Sequence, residues 1–181
     1  ADLKFFSFGI KKENADVNII DVKANPFVEI NFSNLIIKSH LIGLYNANNI
    51  NAALTIGKYF GVDDIAIKEG LESYIPENNR SQLLSKGTNQ IILDAYNANP
   101  SSMKVAIENF LQLDNPNKIM ILGDMFELGD ASTQEHLEVL KLLLDKNEIQ
   151  CFFIGSAFYA NKTVTTHFHF YETFDSFSEY L

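Results

Sequence analysis

Apolar positions recur along this chain in two rhythms. Residues 3–10, 17–23, 27–32 and 35–39 are four short runs rich in Phe, Ile and Val, separated by Lys-Glu-Asn-Ala-Asp, Ala-Asn-Pro and Ser-Asn. Turn residues at that spacing, with the alternation Val28-Glu29-Ile30-Asn31-Phe32 marking one buried face, predict an antiparallel meander. The rhythm then becomes helical. Ile50, Ala53, Leu54 and Gly57 predict a helix within 43–61 that covers the sheet, with Asn46 as its N-cap and Gly61 as its stop. A second helix over 63–73 opens on Asp63 and Asp64, which suit the positive end of a helix. Residues 74–80 are polar, contain a Pro and have no period, so the domain boundary is placed there, giving 1–79 and 80–181.

From Ser81 strands and helices alternate. Strands are expected at 90–93, 118–122, 150–154 and 168–171, and helices at 100–112, 132–146 and 157–161, with another helix beginning at 175–181. This predicts an α/β domain with a mainly parallel sheet. Within it, residues 91–129 read as a βαβ unit whose two loops, both dense in Asp, Asn and Gly, would lie where open α/β sheets bind ligands. The stripe Leu137, Leu140, Lys141 and Leu144 is the expected packed face of the helix over 132–146.

Composition narrows the partners. The chain has 181 residues, a net charge of −9 and no basic run, which argues against a nucleic-acid partner. Small anions remain possible, because a few backbone N–H groups and one or two cations suffice to hold them. The single cysteine, Cys151, excludes an intrachain disulfide and lies in a strand-like run, where inert packing is expected. No apolar run reaches the roughly 18–20 residues that span a bilayer, and no signal-peptide layout opens the chain, so a cytoplasmic location with no membrane contact is expected. The first residue is not Met and residues 1–8 already read as a strand, so the chain is expected to begin inside a larger protein.

The polar residues of the two loops admit bland and functional readings side by side. Asp94 directly follows a strand, the position of many ribose-binding or catalytic carboxylates, and could equally cap the next turn. Asn97, Asn99 and Pro100 suit a turn entering a helix. Asp124 and Glu127, between Gly123 and Gly129, could hold Mg²⁺ or an ammonium group, or serve the next helix start. His136 could point back at that loop or simply pack. His167 and His169, two apart in a strand, would share a face, but with no third ligand no metal site is expected. Asn46 and Asn49 share a helix face where amides could read a nucleobase edge or act as caps. Phosphate loop, nucleophile elbow and dinucleotide fingerprint are all absent from the sequence.

Together the motifs are more specific than any one. Asp94-Ala-Tyr-Asn-Ala-Asn-Pro-Ser-Ser-Met103, then Leu122-Gly-Asp-Met-Phe-Glu-Leu-Gly129 and His136, closely resemble the Mur ligase family of peptidoglycan synthesis. The resemblance implies the addition of D-Ala-D-Ala to UDP-N-acetylmuramoyl-tripeptide. Gly43-Leu-Tyr-Asn46-Ala-Asn-Asn49-Ile-Asn-Ala-Ala53 resembles the family's Gly-x-His-Asn-x-x-Asn-x-x-Ala-Ala, and Arg80 sits where the family's Arg precedes the last domain. The resemblance spans residues 43–136.

It implies a monomeric, three-domain ATP-dependent amide ligase that uses Mg²⁺ and works through an acyl phosphate. Residues 1–79 would close its central ATP-binding domain. Residues 80–181 would form most of a Rossmann-like C-terminal ligase domain, truncated at its end. By the same resemblance Asn46, Asn49, Arg80 and Asp94 bind the nucleotide, and Asp94, Asn97 and Asn99 form the catalytic set. Tyr96, Asn97, Asn99, Asp124, Glu127 and His136 meet the peptide substrates. The chain departs from the family at Tyr45, where His is usual, and at Leu93, where the first Asp of an Asp-Asp pair is frequent. The family's phosphate loop and Mg²⁺ ligands fall outside these residues, so the chain alone is expected to be inactive. Two alternatives remain: a non-catalytic nucleotide or amino-acid binding module, and a sister ligase joining another amino acid to a peptide or to folate.

Overall fold

The structure, a computed structural model, describes residues 5–77 and 79–180 and divides into two units, Ala1–Tyr96 and Asn97–Leu181. In the first unit β1 (Phe8–Ile10), β2 (Val17–Ala24), β3 (Phe27–Phe32) and β4 (Leu35–Ile42) form one sheet in sequence order. Strands β2 to β4 are the expected antiparallel meander, but β1 runs parallel to β2, with Phe8 opposite Val17. Parallel neighbours normally need a crossover of about a dozen residues or more. Here β1 has only three residues, so the short loop that follows, turning at Lys11 with φ 54°, brings the chain back to its start. The Asp16 carboxylate closes that loop by accepting from the Ser7 backbone N–H at 2.7 Å and its hydroxyl at 2.8 Å. Residues 5–7 form no strand, and the first two residues of the expected run lie outside the described ones.

Alternation decides which face of the sheet is covered. Val28, Ile30 and Phe32, with Val17, Ile19 and Ile37, pack against Ala47, Ile50 and Leu54 of α1 (Ala47–Tyr59) and Ile67 of α2 (Asp64–Ser73). Each fully buried aliphatic side chain contributes about 1.5–3 kcal/mol. Gly57 lets the two helices approach: a Cβ there would stand 2.9 Å from Cγ1 of Ile67. Ala53, expected in the packed stripe, is exposed, and Asn51 and Thr55 are buried instead. Gly61, at φ 75°, follows the end of α1 as expected. Asp63 caps α2, accepting from Ile65 N at 3.0 Å and Ala66 N at 3.1 Å.

The first unit ends in a hairpin that the apolar pattern does not predict in full. β5 (Gln82–Lys86) pairs antiparallel with β6 (Asn89–Leu93) across Gly87 and Thr88, Gly87 taking the positive φ of 61° that such a tight turn requires. This corrects the βαβ reading of residues 91–129: β6 belongs to a two-stranded sheet with β5, not to the sheet that follows. The change has a local cause, since a two-residue turn returns the chain before any helix can intervene.

In the second unit β7 (Ile119–Gly123), β8 (Gln150–Ile154) and β9 (Phe168–Tyr171) form a parallel sheet in that order. The helices are α3 (Pro100–Gln112), α4 (Ser132–Leu143), α5 (Ser156–Ala160) and α6 (Phe174–Ser178). Met103, Ile107, Met120, Val139, Leu140, Leu143, Cys151, Phe153, Phe158 and Phe168 make its core. The buried stripe of α4 is His136, Val139, Leu140 and Leu143, one residue earlier than the expected stripe, and Leu144 is exposed. A histidine can lie in that stripe because both its ring nitrogens find partners, described below. Among the described residues no helix is long and apolar enough to cross a membrane.

Candidate nucleotide-binding and substrate-binding residues

Two groups of polar residues stand out, one in each unit. In the first, the Leu44–Asn46 3-10 turn carries Tyr45 and Asn46 into α1. Asn46 occupies the N-cap position but makes no side-chain cap bond. Its amide instead donates to the Ile42 carbonyl at 2.8 Å and accepts from Asn49 Nδ2 at 2.9 Å. Asn46 is thereby buried and committed, whereas Asn49 is exposed and its own Oδ1 has no partner among the described residues.

At the base of the β5–β6 hairpin the chain closes on itself. Ala95 N donates to the Asn79 carbonyl at 2.8 Å, and Ser81 N donates to Asp94 Oδ1 at 3.2 Å. The Tyr45 hydroxyl is bonded to Ser81 Oγ, and both hydroxyls reach Asp94 Oδ2 at 3.4 Å. Asp94 itself remains exposed. The Arg80 guanidinium lies 3.7 Å from the centroid of the Tyr96 ring and forms no ion pair among the described residues. Asn79 and Ser81 flank it with φ of 53° and 49°, conformations that non-glycine residues adopt at a cost and that functional segments often hold in place.

The second group is built differently. Asn99 caps α3: its Oδ1 accepts from Ser102 N at 2.9 Å and Ser101 Oγ at 2.8 Å, and its own N–H reaches Ser102 Oγ at 3.2 Å, completing a capping box. Asn97 is exposed, and its amide has no partner among the described residues. Asp124, directly after β7, turns its carboxylate onto the start of α5, accepting from Ala157 N at 2.8 Å and Phe158 N at 3.0 Å. Gly155 allows that approach: a Cβ there would overlap the carboxylate, and its φ of 135° is one that side chains rarely adopt.

His136 has no exposed surface. Nδ1–H donates to the Ser132 carbonyl at 2.7 Å, and Nε2 accepts from Met125 N at 3.1 Å. That pairing fixes a neutral tautomer, because a protonated Nε2 could not accept. The 3.6 Å separation from Asp124 is therefore close approach rather than an ion pair. Asp124 and His136 fasten the 124–129 loop from inside, while Phe126 is 78% exposed and Glu127, at φ 62°, is exposed beside it. His167 lies just before β9, buried and donating to the Leu143 carbonyl at 3.3 Å, and so stands outside the strand that holds the half-buried His169. Burial, aided by the nearby Glu148 charge, pushes the Cys151 thiol up to about 12, which leaves it protonated and inert.

The family model of the Mur ligase glutamate ligase domain matches residues 79–167. Over 100 residues the chain is 38% identical to the UDP-N-acetylmuramoyl-tripeptide--D-alanyl-D-alanine ligase of Bacillus subtilis, covering 54% of this chain and 22% of that protein. A crystal structure of MurF from Acinetobacter baumannii superposes on 97% of the chain with a TM-score of 0.75 and 28% identity. The chain belongs to the Mur ligase family. It is also similar in fold, at 22% identity, a TM-score of 0.69 and 90% coverage of this chain, to the Thermotoga maritima MurF ligase solved with ADP. The chain spans 39% and 38% of those two solved Mur ligases.

Three side chains of the first unit keep polar groups free to meet a ligand. Asn49 offers an amide with a free acceptor, Asp94 an exposed carboxylate already oriented by the Ser81 N–H and hydroxyl, and Arg80 a cation with no ion pair among the described residues. Among the described residues no three His, Cys, Asp or Glu side chains gather as a metal-holding group. Sequence reasoning missed Tyr45 and Ser81, because their bonds to Asp94 join residues 49 and 13 positions apart. The one available signal was the departure of Tyr45 from the family's usual His.

Proposed function

We propose that this chain is the later part of an ATP-dependent amide ligase that joins D-Ala-D-Ala to UDP-N-acetylmuramoyl-tripeptide in cytoplasmic peptidoglycan synthesis, acting as a monomer. Residues 1–79 close its central ATP-binding domain and residues 80–181 form most of its C-terminal ligase domain. The observation that carries this reading is the exposed Asp94 carboxylate steadied by Ser81 and Tyr45, with the unpaired Arg80 next to Ser81 in sequence.

The roles follow from which polar atoms remain free. Asn49 meets the adenine, and the buried Asn46 holds it in place. Asp94 accepts the ribose hydroxyls, and Arg80 offsets phosphate charge during transfer. ATP supplies the phosphoryl group that converts the tripeptide carboxylate to an acyl phosphate, which the D-Ala-D-Ala amine attacks with release of phosphate. Mg²⁺ would neutralise phosphate charge, and among the described residues no group of three His, Cys, Asp or Glu side chains would hold it.

On the second unit Asn97 and Glu127, both exposed, offer an amide and a carboxylate to the ends of the dipeptide. Asn99, Asp124 and His136 act behind them, fixing the helix start and the loop. No phosphate loop occurs in the 181 residues, and phosphoryl transfer depends almost wholly on positioning, so the chain alone does not ligate.

Phosphate release by the full-length protein, with ATP and each peptide substrate present or omitted, tests the proposal. Release that requires both UDP-muramoyl-tripeptide and D-Ala-D-Ala is expected. Release with another amino acid in place of the dipeptide, or none under any combination, would overturn it.

A further inference from the structure

We infer that Tyr45 is a positioning residue that, through Ser81, orients Asp94 toward the vicinal hydroxyls of a ribonucleotide. The inference rests on the nucleotide-binding reading above and adds to it a determinant of sugar specificity. Tyr45 immediately precedes Asn46, so one short turn carries both the phenol that reaches Asp94 and the amide that holds Asn49. Base contact and sugar contact are thus set by the same stretch of backbone.

The geometry around Asp94 is asymmetric. Oδ1 receives the Ser81 N–H, while Oδ2 receives the Ser81 hydroxyl, whose oxygen in turn accepts from the Tyr45 hydroxyl. A carboxylate has about four lone-pair sites, so two inward donors, the Ser81 N–H and hydroxyl, fix its rotation and leave acceptor capacity on the exposed side. Two neighbouring hydroxyls of one sugar are the ligand that such a fixed, outward carboxylate suits best. A freely rotating carboxylate would lose rotational freedom on binding them.

Two further observations agree. Ser81 keeps a left-handed backbone at φ 49°, and that conformation presents its N–H to Asp94 while its side chain meets Tyr45. Tyr45 is half-buried, and burial raises its pKa above the ordinary phenol value, outweighing the opposing bond from Ser81. It therefore stays protonated, with a proton to donate, throughout the neutral range.

The test compares full-length wild type, Tyr45→Phe and Ser81→Ala with ATP and with 2′,3′-dideoxy-ATP. Wild type is expected to prefer ATP. Tyr45→Phe keeps the ring and removes only the hydroxyl, so KM for ATP should rise about ten-fold, the scale of one charge-assisted hydrogen bond. Its kcat and its KM for the dideoxy analogue should barely move, so that the preference collapses; Ser81→Ala should behave alike. Adding Tyr45→Phe to Asp94→Asn should cost little beyond Asp94→Asn alone. An unchanged preference, or an equal rise in KM for both nucleotides, overturns the positioning role while leaving the ligase reading intact. A wild type that uses no ATP overturns that reading and this inference with it.

Discussion

Asp94 and Asp124 occupy the same place in the sequence pattern: each is the first polar residue after a strand, at the head of a loop rich in Asn or Gly. Their surroundings make them opposites. Asp94 is exposed, and its inward donors leave it acceptor capacity toward solvent. The Asp124 side chain is only 8% exposed, and both its oxygens serve backbone N–H groups at the start of α5. A strand-end carboxylate is thus a place where function can be put. Whether it binds a ligand or a helix depends on the donors that the rest of the chain brings to it.

The most severe break of the comparison is Asp94→Ala. In the full-length protein we predict a fall in kcat/KM for ATP of about a hundred-fold or more, the scale of removing a charged acceptor from two sugar hydroxyls. The thermal midpoint should stay within a few degrees, since the residue is exposed. A large drop in midpoint with turnover per folded molecule preserved would assign Asp94 to structure instead.

Gly155→Ala sharpens the other side. Its methyl group would collide with the Asp124 carboxylate, and a φ of 135° strains any side chain. Denaturant unfolding should show about 2 kcal/mol less stability, from backbone strain and lost caps together. Unchanged stability would mean that the contact between Asp124 and α5 is dispensable.

How much of this was legible beforehand follows the range of the interactions. Helices α2 and α3 were predicted nearly to the residue, because their caps, Asp63 and Asn99-Pro100, are signals written beside the elements they start. Strands β7, β8 and β9 were visible as apolar runs. Strand β5 was not, since Gln82-Leu-Leu-Ser-Lys86 is short, half polar and recognisable only by its pairing across Gly87. The burial of His136 was hidden for a related reason: its partners, Ser132 O and Met125 N, are backbone groups, which no side-chain pattern records. The positions of Asp94 and Asp124 could be read from the sequence, but their different commitments could not. Those depend on Tyr45 and Ser81 in one case and on α5, more than thirty residues downstream, in the other.

The smallest predicted effect concerns Cys151, buried within β8 of the second unit's sheet. Its folded pKa is raised from 9.0 to about 12, so the protonated thiol favours the folded state fully below pH 9. That contribution is lost as pH rises from 9 toward 12. At pH 8 a thiol reagent should label the native protein only as fast as it opens, and denatured protein at once. Rapid native labelling would contradict the buried placement.

The contrast between the two carboxylates is tested most directly by thermal melting of full-length wild type, Asp94→Asn and Asp124→Asn, each with and without ATP. Ligand that binds only the folded state raises the midpoint, so the rise reports binding and the ligand-free midpoint reports structure. Asp94→Asn should melt like wild type without nucleotide and lose the ATP-induced rise. Asp124→Asn should melt several degrees lower and keep the rise. The reverse pattern, with Asp94→Asn destabilised yet ATP-responsive and Asp124→Asn stable yet unresponsive, would contradict the account.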